Sequence, residues 1–344
     1  MSHANWIRTL AMAAFSLCLG VVVLGAYVRL SDAGLGCPDW PGCYGHFSPA
    51  GAAAQQPVQA APLSGRPLQV GKAWREMVHR YAASTLGLLI VLLTAMTMIW
   101  RRERIIPASY GAALLAIVVL QGLLGMLTVT WQLTPLIVTL HLLFGFTTLS
   151  LLWWLVLTLW QRGRRVWASS SGLRAQGQTL ARALALLGLV ALVLQIALGG
   201  WTSSNYAAIA CPDLPTCQGS WWPPADFHAG FVLWRGGHID YEGGILAPAA
   251  RIAIHLTHRF GAAVVSGLLL LAAWAAFRLR SNHLARRAAL LLLLALALQL
   301  SLGVSMVLRG FPLWIATLHN AGAALLLLAT LALNRTLRPT PPLV

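Results

Sequence analysis

The amino-acid sequence predicts an all-α polytopic membrane protein whose eight transmembrane helices form two parallel-repeat four-helix bundles. Hydrophobic residues make up 58% of the chain and charged residues only 9%, whereas a soluble domain contains about 25% charged residues. The chain also contains eight long apolar runs, and its second half repeats motifs of its first. Composition therefore excludes an ordinary soluble domain, while the runs and the repeat predict the architecture.

The eight apolar runs are each long enough for the roughly 20 residues that a spanning helix needs. They lie near 9–29, 77–100, 107–130, 135–160, 180–201, 250–277, 287–308 and 313–334. No small-residue cleavage site follows the first run, so we interpret it as a retained helix rather than a signal peptide.

The charge pattern predicts the orientation of the helices in the membrane. The net charge of +16 falls in short clusters between the apolar runs, which is typical of membrane topology and not of a nucleic-acid-binding face. The clusters after the second, fourth, sixth and eighth runs, together with Arg8, hold 15 of the 24 Lys and Arg residues, and seven of the eight acids lie on the opposite side. The positive-inside rule then predicts cytoplasmic termini and places the loops at 36–45 and 210–219 outside.

The repeat covers four blocks that keep their order and nearly constant spacing. LGAYVRLSDAGLGCPDWPGC aligns with LGGWTSSNYAAIACPDLPTC, EMVHR aligns with HLTHR, and QGLLGMLTV…PLIVTLHLLFG aligns with QLSLGVSMV…PLWIATLHNAG. Because each half has four helices, both halves enter and leave on the same side, which predicts a pseudo-two-fold axis along the membrane normal. The predicted domains are 1–165 and 181–344, joined by a cytoplasmic linker at 166–180.

Four intramembrane histidines repeat between the halves: His79 aligns with His258, and His141 with His319. Each half thus offers one histidine from its second helix and one from its fourth, and these helices run in the same direction. Two imidazoles on facing helices of a four-helix bundle suit the two axial positions of a haem iron. The matched pairs weaken the interpretation of packed polar histidines, and a proton relay remains possible although it does not explain the matching. Zinc or copper usually takes three or four protein ligands.

The two halves differ at the residue three positions before the second-helix histidine. Glu76 stands there in the first half and His255 in the second. An intramembrane carboxylate is a functional candidate, although an acid near a helix N-terminus is also favoured by the helix dipole. The asymmetry predicts one reactive haem site and one electron-transfer site. Arg80 and Arg259 follow the histidines and suit either haem propionates or interfacial snorkelling.

Four of the five cysteines form two close pairs, Cys37/Cys43 and Cys211/Cys217, in the loops predicted to be extracytoplasmic. An oxidising compartment permits disulfides. The residues leave two interpretations open, a structural disulfide or a redox-active dithiol. Cys18, inside the first run, is interpreted as a small apolar residue.

These motifs together resemble the haem A synthase family, and the resemblance covers essentially the full chain. The residues that carry it are CPDWPGC after helix one, EMVHR opening helix two, HR opening helix six, and the histidines in helices four and eight. The loops at 46–74 and 220–249 carry no matching motif.

The resemblance implies an enzyme of a bacterial inner membrane that oxidises the C8 methyl group of haem O to a formyl group through a hydroxymethyl intermediate. It implies that the substrate haem O binds in the first half at His79 and His141, with Glu76 as the essential acid. It further implies a permanent haem b on His258 and His319. Cys37 and Cys43 correspond to the pair that the family links to activity or stability.

The resemblance also suggests the haem O-producing prenyltransferase and cytochrome c oxidase assembly factors as partners, and it leaves a homo-oligomer open. Two other functions remain open from the residues alone. A dihaem b-type carrier linked to quinol would need the four histidines but not Glu76, and a disulfide-exchange membrane protein would need the cysteines but not the histidines.

Overall fold

The computed structural model describes residues 3–55, 67–103, 105–161, 172–237 and 239–338, and this part of the chain is almost entirely helical. Its α-helices are α1 His3–Leu30, α2 Pro49–Gln55, α3 Val70–Ile99, α4 Ala108–Thr130, α5 Pro135–Gln161, α6 Gly172–Ser204, α7 Phe227–Gly230, α8 Pro248–Arg278, α9 His283–Leu308 and α10 Leu313–Thr336. Helices α2 and α7 are short and lie in the two long connections, which also contain the cysteine pairs.

Eight of these helices are long and apolar enough to cross a membrane, which confirms the predicted eight-helix membrane class. Five of them begin earlier than their apolar runs, and the difference is largest for α3, which begins at Val70 instead of 77, and for α6, which begins at Gly172 instead of 180. Polar first turns continue the backbone hydrogen bonding of a helix, so hydropathy underestimates its length. With 30 residues, α3 is about 45 Å long, which exceeds the roughly 30 Å hydrocarbon layer.

The helices of each half pack in the same order. In the first half α1 packs against α3 and α5, and α4 packs against the same two helices. In the second half α6 packs against α8 and α10, and α9 packs against the same two helices. Contacts of α10 with α1 and α5, and of α5 with α6, join the halves. One such contact is the hydrogen bond that the Trp153 indole donates to the Leu328 carbonyl, at 3.0 Å.

This shared packing order agrees with the predicted duplication, while the pseudo-two-fold axis and the domain bounds stay predictions. Of the predicted linker at 166–180, residues 166–171 lie outside the described residues, and residues 172–180 belong to α6.

The two cysteine loops have matching backbone conformations. The structure joins Cys37 to Cys43 and Cys211 to Cys217, with S–S distances of 2.08 and 1.99 Å. An antiparallel bridge closes each loop, between Cys43 and His46 in the first and between Cys217 and Ser220 in the second.

A turn-forming carboxylate organises the tip of each loop. Asp39 accepts hydrogen bonds from the backbone N–H groups of Tyr44 and Gly45, at 2.6 and 2.8 Å. Asp213 accepts them from Gln218 and Gly219, at 2.6 and 3.0 Å. An aspartate that bonds backbone amides in this way stabilises a turn, so the aspartate of the CPD motif is a structural residue of the loop.

Candidate functional site: paired histidines beside an acid–arginine pair

The first half contains a cavity of about 400 Å³ that brings the predicted site residues together. Glu76, His79 and His141 all line it, and the remaining lining is mainly apolar side chains and glycines of α1, α3, α4 and α5. Gly200 and Ser203 of α6 and Asn320 of α10 also contribute to the wall. The cavity therefore belongs to the first half but is completed by the second.

Each of the four predicted ligand histidines packs its ring edge against a glycine of a neighbouring helix. A Cβ atom added to that glycine would approach Cε1 of the histidine closely: 2.9 Å for Gly25 and His79, 3.3 Å for Gly125 and His141, 3.3 Å for Gly199 and His258, and 3.1 Å for Gly303 and His319. Since Cβ contacts under about 3.4 Å are tight, the glycines provide the space that the rings occupy. The same arrangement occurs twice per half.

The ring nitrogens of these histidines are suited to binding a further group. Nδ1 of His79, His141 and His319 is buried and has no hydrogen-bond partner in the described part of the chain. Nδ1 of His258 instead lies 3.0 Å from the Gln195 amide nitrogen. Buried polar atoms are normally bonded, so three unpartnered nitrogens, in rings held by glycine contacts, fit the axial ligation of a haem iron.

Three glutamines that the sequence analysis did not single out contact the histidines. The Gln121 amide donates to the His141 carbonyl at 2.9 Å, and the Gln195 amide donates to the His258 carbonyl at 2.8 Å. The Gln299 amide nitrogen lies 3.2 Å from Nε2 of His319. Gln121 and Gln299 open the aligned QGLLG and QLSLG blocks, so the repeat itself carried a signal for them.

Glu76 is only 4% exposed, and two hydrogen bonds hold its carboxylate in place. Its Oε1 lies 2.5 Å from Nη2 of Arg80, one helical turn further along α3. Its Oε2 accepts the backbone N–H of Cys37 at 2.9 Å. A buried carboxylate needs such partners, and these two fix it where α3 meets the first cysteine loop.

Arg80 and Arg259 anchor the two cysteine loops to their helices. Arg80 donates to the carbonyls of Asp39, Pro41 and Gly42. Arg259 donates to those of Cys211, Asp213 and Thr216. These contacts give both arginines a structural role, and the predicted pairing with propionates stays a prediction.

His255 has a structural contact where the first half has Glu76. It is buried, and its Nδ1 lies 3.1 Å from the Ala207 carbonyl, in the segment that leads into the second cysteine loop. Both residues therefore tie helix to loop, but only Glu76 brings a carboxylate to a histidine pair.

The two histidine pairs and the apolar helices define a class of protein: a multi-pass helical membrane protein with paired-histidine sites, one of them beside a buried acid–arginine pair. In the described residues no three His, Cys, Asp or Glu side chains converge as a protein-only metal site would require.

Comparison with known proteins identifies the family. Residues 8–331 match the family described as cytochrome oxidase assembly protein. The chain is 44% identical over 321 residues to the haem A synthase of Shewanella oneidensis, covering 91% of each chain. It is 30% identical over 350 residues to that of Beijerinckia indica, covering 94% of this chain and 89% of the relative. The chain belongs to the haem A synthase family.

Proposed function

We propose that this chain is a haem A synthase that oxidises the C8 methyl group of haem O to a formyl group through a hydroxymethyl intermediate. The observation that carries the proposal is the cavity that joins Glu76, His79 and His141. The family relationship supports a role in haem A biosynthesis. Haem O is the substrate in the first half, and a haem b on His258 and His319 is the resident cofactor.

In the first half, His79 and His141 would hold the substrate by its iron in the cavity that Glu76 also lines. The Glu76 carboxylate then accepts a proton from the C8 substituent, which is a methyl group in the first step and a hydroxymethyl group in the second, or it stabilises positive charge that develops on that carbon. Arg80 and the Cys37 N–H hold that carboxylate in one position. Trp40 of the first cysteine loop lines the cavity, so the loop would cover part of the bound substrate.

In the second half, His258 and His319 hold the haem b, which supplies one-electron transfer when bound. Conversion of a methyl group to a formyl group removes four electrons from the substrate and adds one oxygen atom, so it needs an oxidant from outside the protein. A haem b in the second half would carry electrons between the substrate site and an external redox partner. His255 in place of Glu76 leaves this half without a carboxylate beside its histidines, which suits electron transfer and not substrate oxidation.

The same proposal orients the protein in an inner membrane with both termini in the cytoplasm and both cysteine loops outside. The basic clusters on one side and the acids on the other support this orientation.

Pigment extraction from the purified full-length protein, expressed with and without a haem O-producing prenyltransferase, tests the proposal. We expect haem A or hydroxymethyl haem only with the prenyltransferase, together with haem B. Two equivalents of haem B and no conversion product under both conditions would contradict the synthase and favour the dihaem carrier, which also suits the matched glycine–histidine contacts.

A further inference from the structure

A second cation, Arg29, lies on the wall of the first-half cavity. It stands in the last turn of α1 and lines the same space as His79 and His141. Its side chain is only 13% exposed, and Nε of its guanidinium group is buried without a hydrogen-bond partner in the described part of the chain. A buried N–H of a cation is stabilised by an acceptor that reaches it, and most strongly by an anion.

The other nitrogens of Arg29 bind the second half of the protein. Nη1 donates to the Tyr206 hydroxyl at 3.1 Å, and Nη2 donates to the Ser203 carbonyl at 2.8 Å. The guanidinium carbon also lies 4.4 Å from the centre of the Tyr206 ring, in a cation–π contact that orients the plane of the group. The guanidinium is thus held by α6 and the residues after it, while its Nε remains available.

The charge of Arg29 is less well compensated than that of Arg80. The carboxylate near Arg29 belongs to Asp32, and its Oδ1 is 3.7 Å from Nη1 of Arg29. The Asp32 side chain is half exposed, and its Oδ1 also accepts a hydrogen bond from the Tyr206 hydroxyl at 3.0 Å. Arg80 instead has a buried carboxylate at 2.5 Å and three backbone carbonyls. Of these two cavity arginines, Arg29 is the one with an open site for an anion.

Arg29 is also specific to the first half. In the alignment of the repeats its counterpart is Ser203, the residue whose carbonyl it binds. The second half thus has no arginine at this position, although it keeps the counterparts of both histidines and of Arg80. A residue that distinguishes the two sites in this way fits a role in binding the ligand of the first site.

We propose that Arg29 binds a carboxylate group of the ligand in the first-half cavity and connects that ligand to the second half through Ser203 and Tyr206. The proposal rests on the proposed function in one respect, that the ligand is a porphyrin dicarboxylate, whose propionates are the carboxylates. A guanidinium suits this task because its N–H groups match the two oxygens of a carboxylate.

A titration with paired ligands tests the proposal without turnover. The full-length protein, purified with its second-half site loaded, is titrated by absorbance with haem B and with haem B dimethyl ester, in which the propionates are esterified. Hydrogen bonds to charged groups correspond to about 10- to 100-fold in affinity. We expect the ratio of the affinity for the free acid to the affinity for the ester to be about 10- to 100-fold larger in the wild type than in Arg29→Gln.

Arg8→Gln is the matched control, because Arg8 lies on the same helix but stacks on Trp160 at the opposite end, 4.6 Å from the ring centre. It should leave the affinities for both ligands unchanged. Equal weakening of acid and ester binding in Arg29→Gln would overturn the proposal and leave Arg29 a structural link between the halves. Unchanged affinity for both ligands would overturn it as well.

A second variant covers the case that Arg29→Gln does not fold. Arg29→Lys keeps the charge but removes Nε, and it should narrow the preference for the acid over the ester; an unchanged preference would contradict the role of Nε. The readout also separates the two proposals. A protein that prefers the acid through Arg29 but makes no haem A overturns the proposed reaction alone, whereas a protein that makes haem A without this preference overturns the role of Arg29 alone.

Discussion

Glu76 and Arg80 form an ion pair one helical turn apart on α3, with 2.5 Å between Oε1 and Nη2, and the same two residues hold the first cysteine loop. Oε2 of Glu76 binds the N–H of Cys37, while Arg80 binds the carbonyls beyond it. The position of the Glu76 carboxylate therefore depends on the loop and on Arg80. A change in any of them is expected to alter the position of the carboxylate in the cavity.

Replacement of Glu76 by Gln should lower the conversion of haem O by about 10²- to 10⁴-fold, because the amide cannot accept a proton. The amide keeps the size of the side chain and an oxygen for the Cys37 N–H, so haem content should stay near that of the wild type. Chromatography of extracted haems measures both quantities. Glu103→Gln, at a carboxylate that binds His3 at the other end of the helices, serves as the control. Full conversion by Glu76→Gln would contradict the role of the carboxylate.

Replacement of Gly25 by Ala should displace His79, because the new Cβ would lie 2.9 Å from its Cε1. Overpacking of this kind costs about 1–3 kcal/mol, and we expect loss of haem from the first site with the second site kept. Gly20→Ala is the matched control on the same helix, since no atom lies within 4 Å of the added Cβ. Haem stoichiometry and the absorbance spectrum report the outcome. Full loading of both sites in Gly25→Ala would show that this contact does not position the ring.

Gly199→Ala should give the opposite result and empty the second site, because its Cβ would lie 3.3 Å from Cε1 of His258. The contact is looser than that of Gly25, and part of the strain is relieved by a small shift of the ring. We therefore expect a smaller loss of haem than in Gly25→Ala, measured in the same way. Loss of haem O binding with haem b retained would contradict the assignment of the two sites.

Replacement of Cys211 and Cys217 together by Ser should lower thermal stability while haem A formation continues. A disulfide typically contributes about 2–4 kcal/mol by restricting the unfolded chain, and no carboxylate of α8 binds this loop as Glu76 binds the first. The corresponding Cys37/Cys43 variant is expected to lose stability and conversion together. If the Cys211/Cys217 variant stayed folded and haem-loaded but inactive, a redox role for that pair would replace the structural one.

The second loop should open at low pH through Asp213. The hydrogen bonds from Thr216, Gly219 and Gln218 hold the pKa of this exposed carboxyl at about 2, below its ordinary value of 3.8. Because the pKa is lowered, the stabilisation is fully present above the ordinary pKa and is lost as the pH falls toward the lowered one. Hydrogen-exchange protection of the Gln218 and Gly219 amides should fall over this interval in the wild type. Asp213→Asn should show no such step; an identical decline in both proteins would contradict the assignment.

Much of the site could be predicted from the sequence because the duplication acts as an internal comparison. His79 and His141 were identified by their counterparts His258 and His319, and Glu76 by the absence of a carboxylate at His255. The glycine contacts were not predicted, because a glycine in an apolar helix has no sign of what lies across from it. Arg29 was not predicted for a different reason: its counterpart in the repeat is a serine, so the comparison of the halves did not mark it.

The sequence by itself determined the membrane class, the eight spans, the repeated motifs and the acid that distinguishes the halves, because hydropathy and internal similarity are properties of the chain in order. Only the tertiary structure decided that Arg80 supports a loop, that each histidine lies against a glycine, and that Arg29 joins the cavity to the second half. Those relationships depend on the rotation of each helix about its axis and on the close packing of side chains across helices. Hydropathy and charge patterns predict neither the rotation of a helix nor the packing of its side chains.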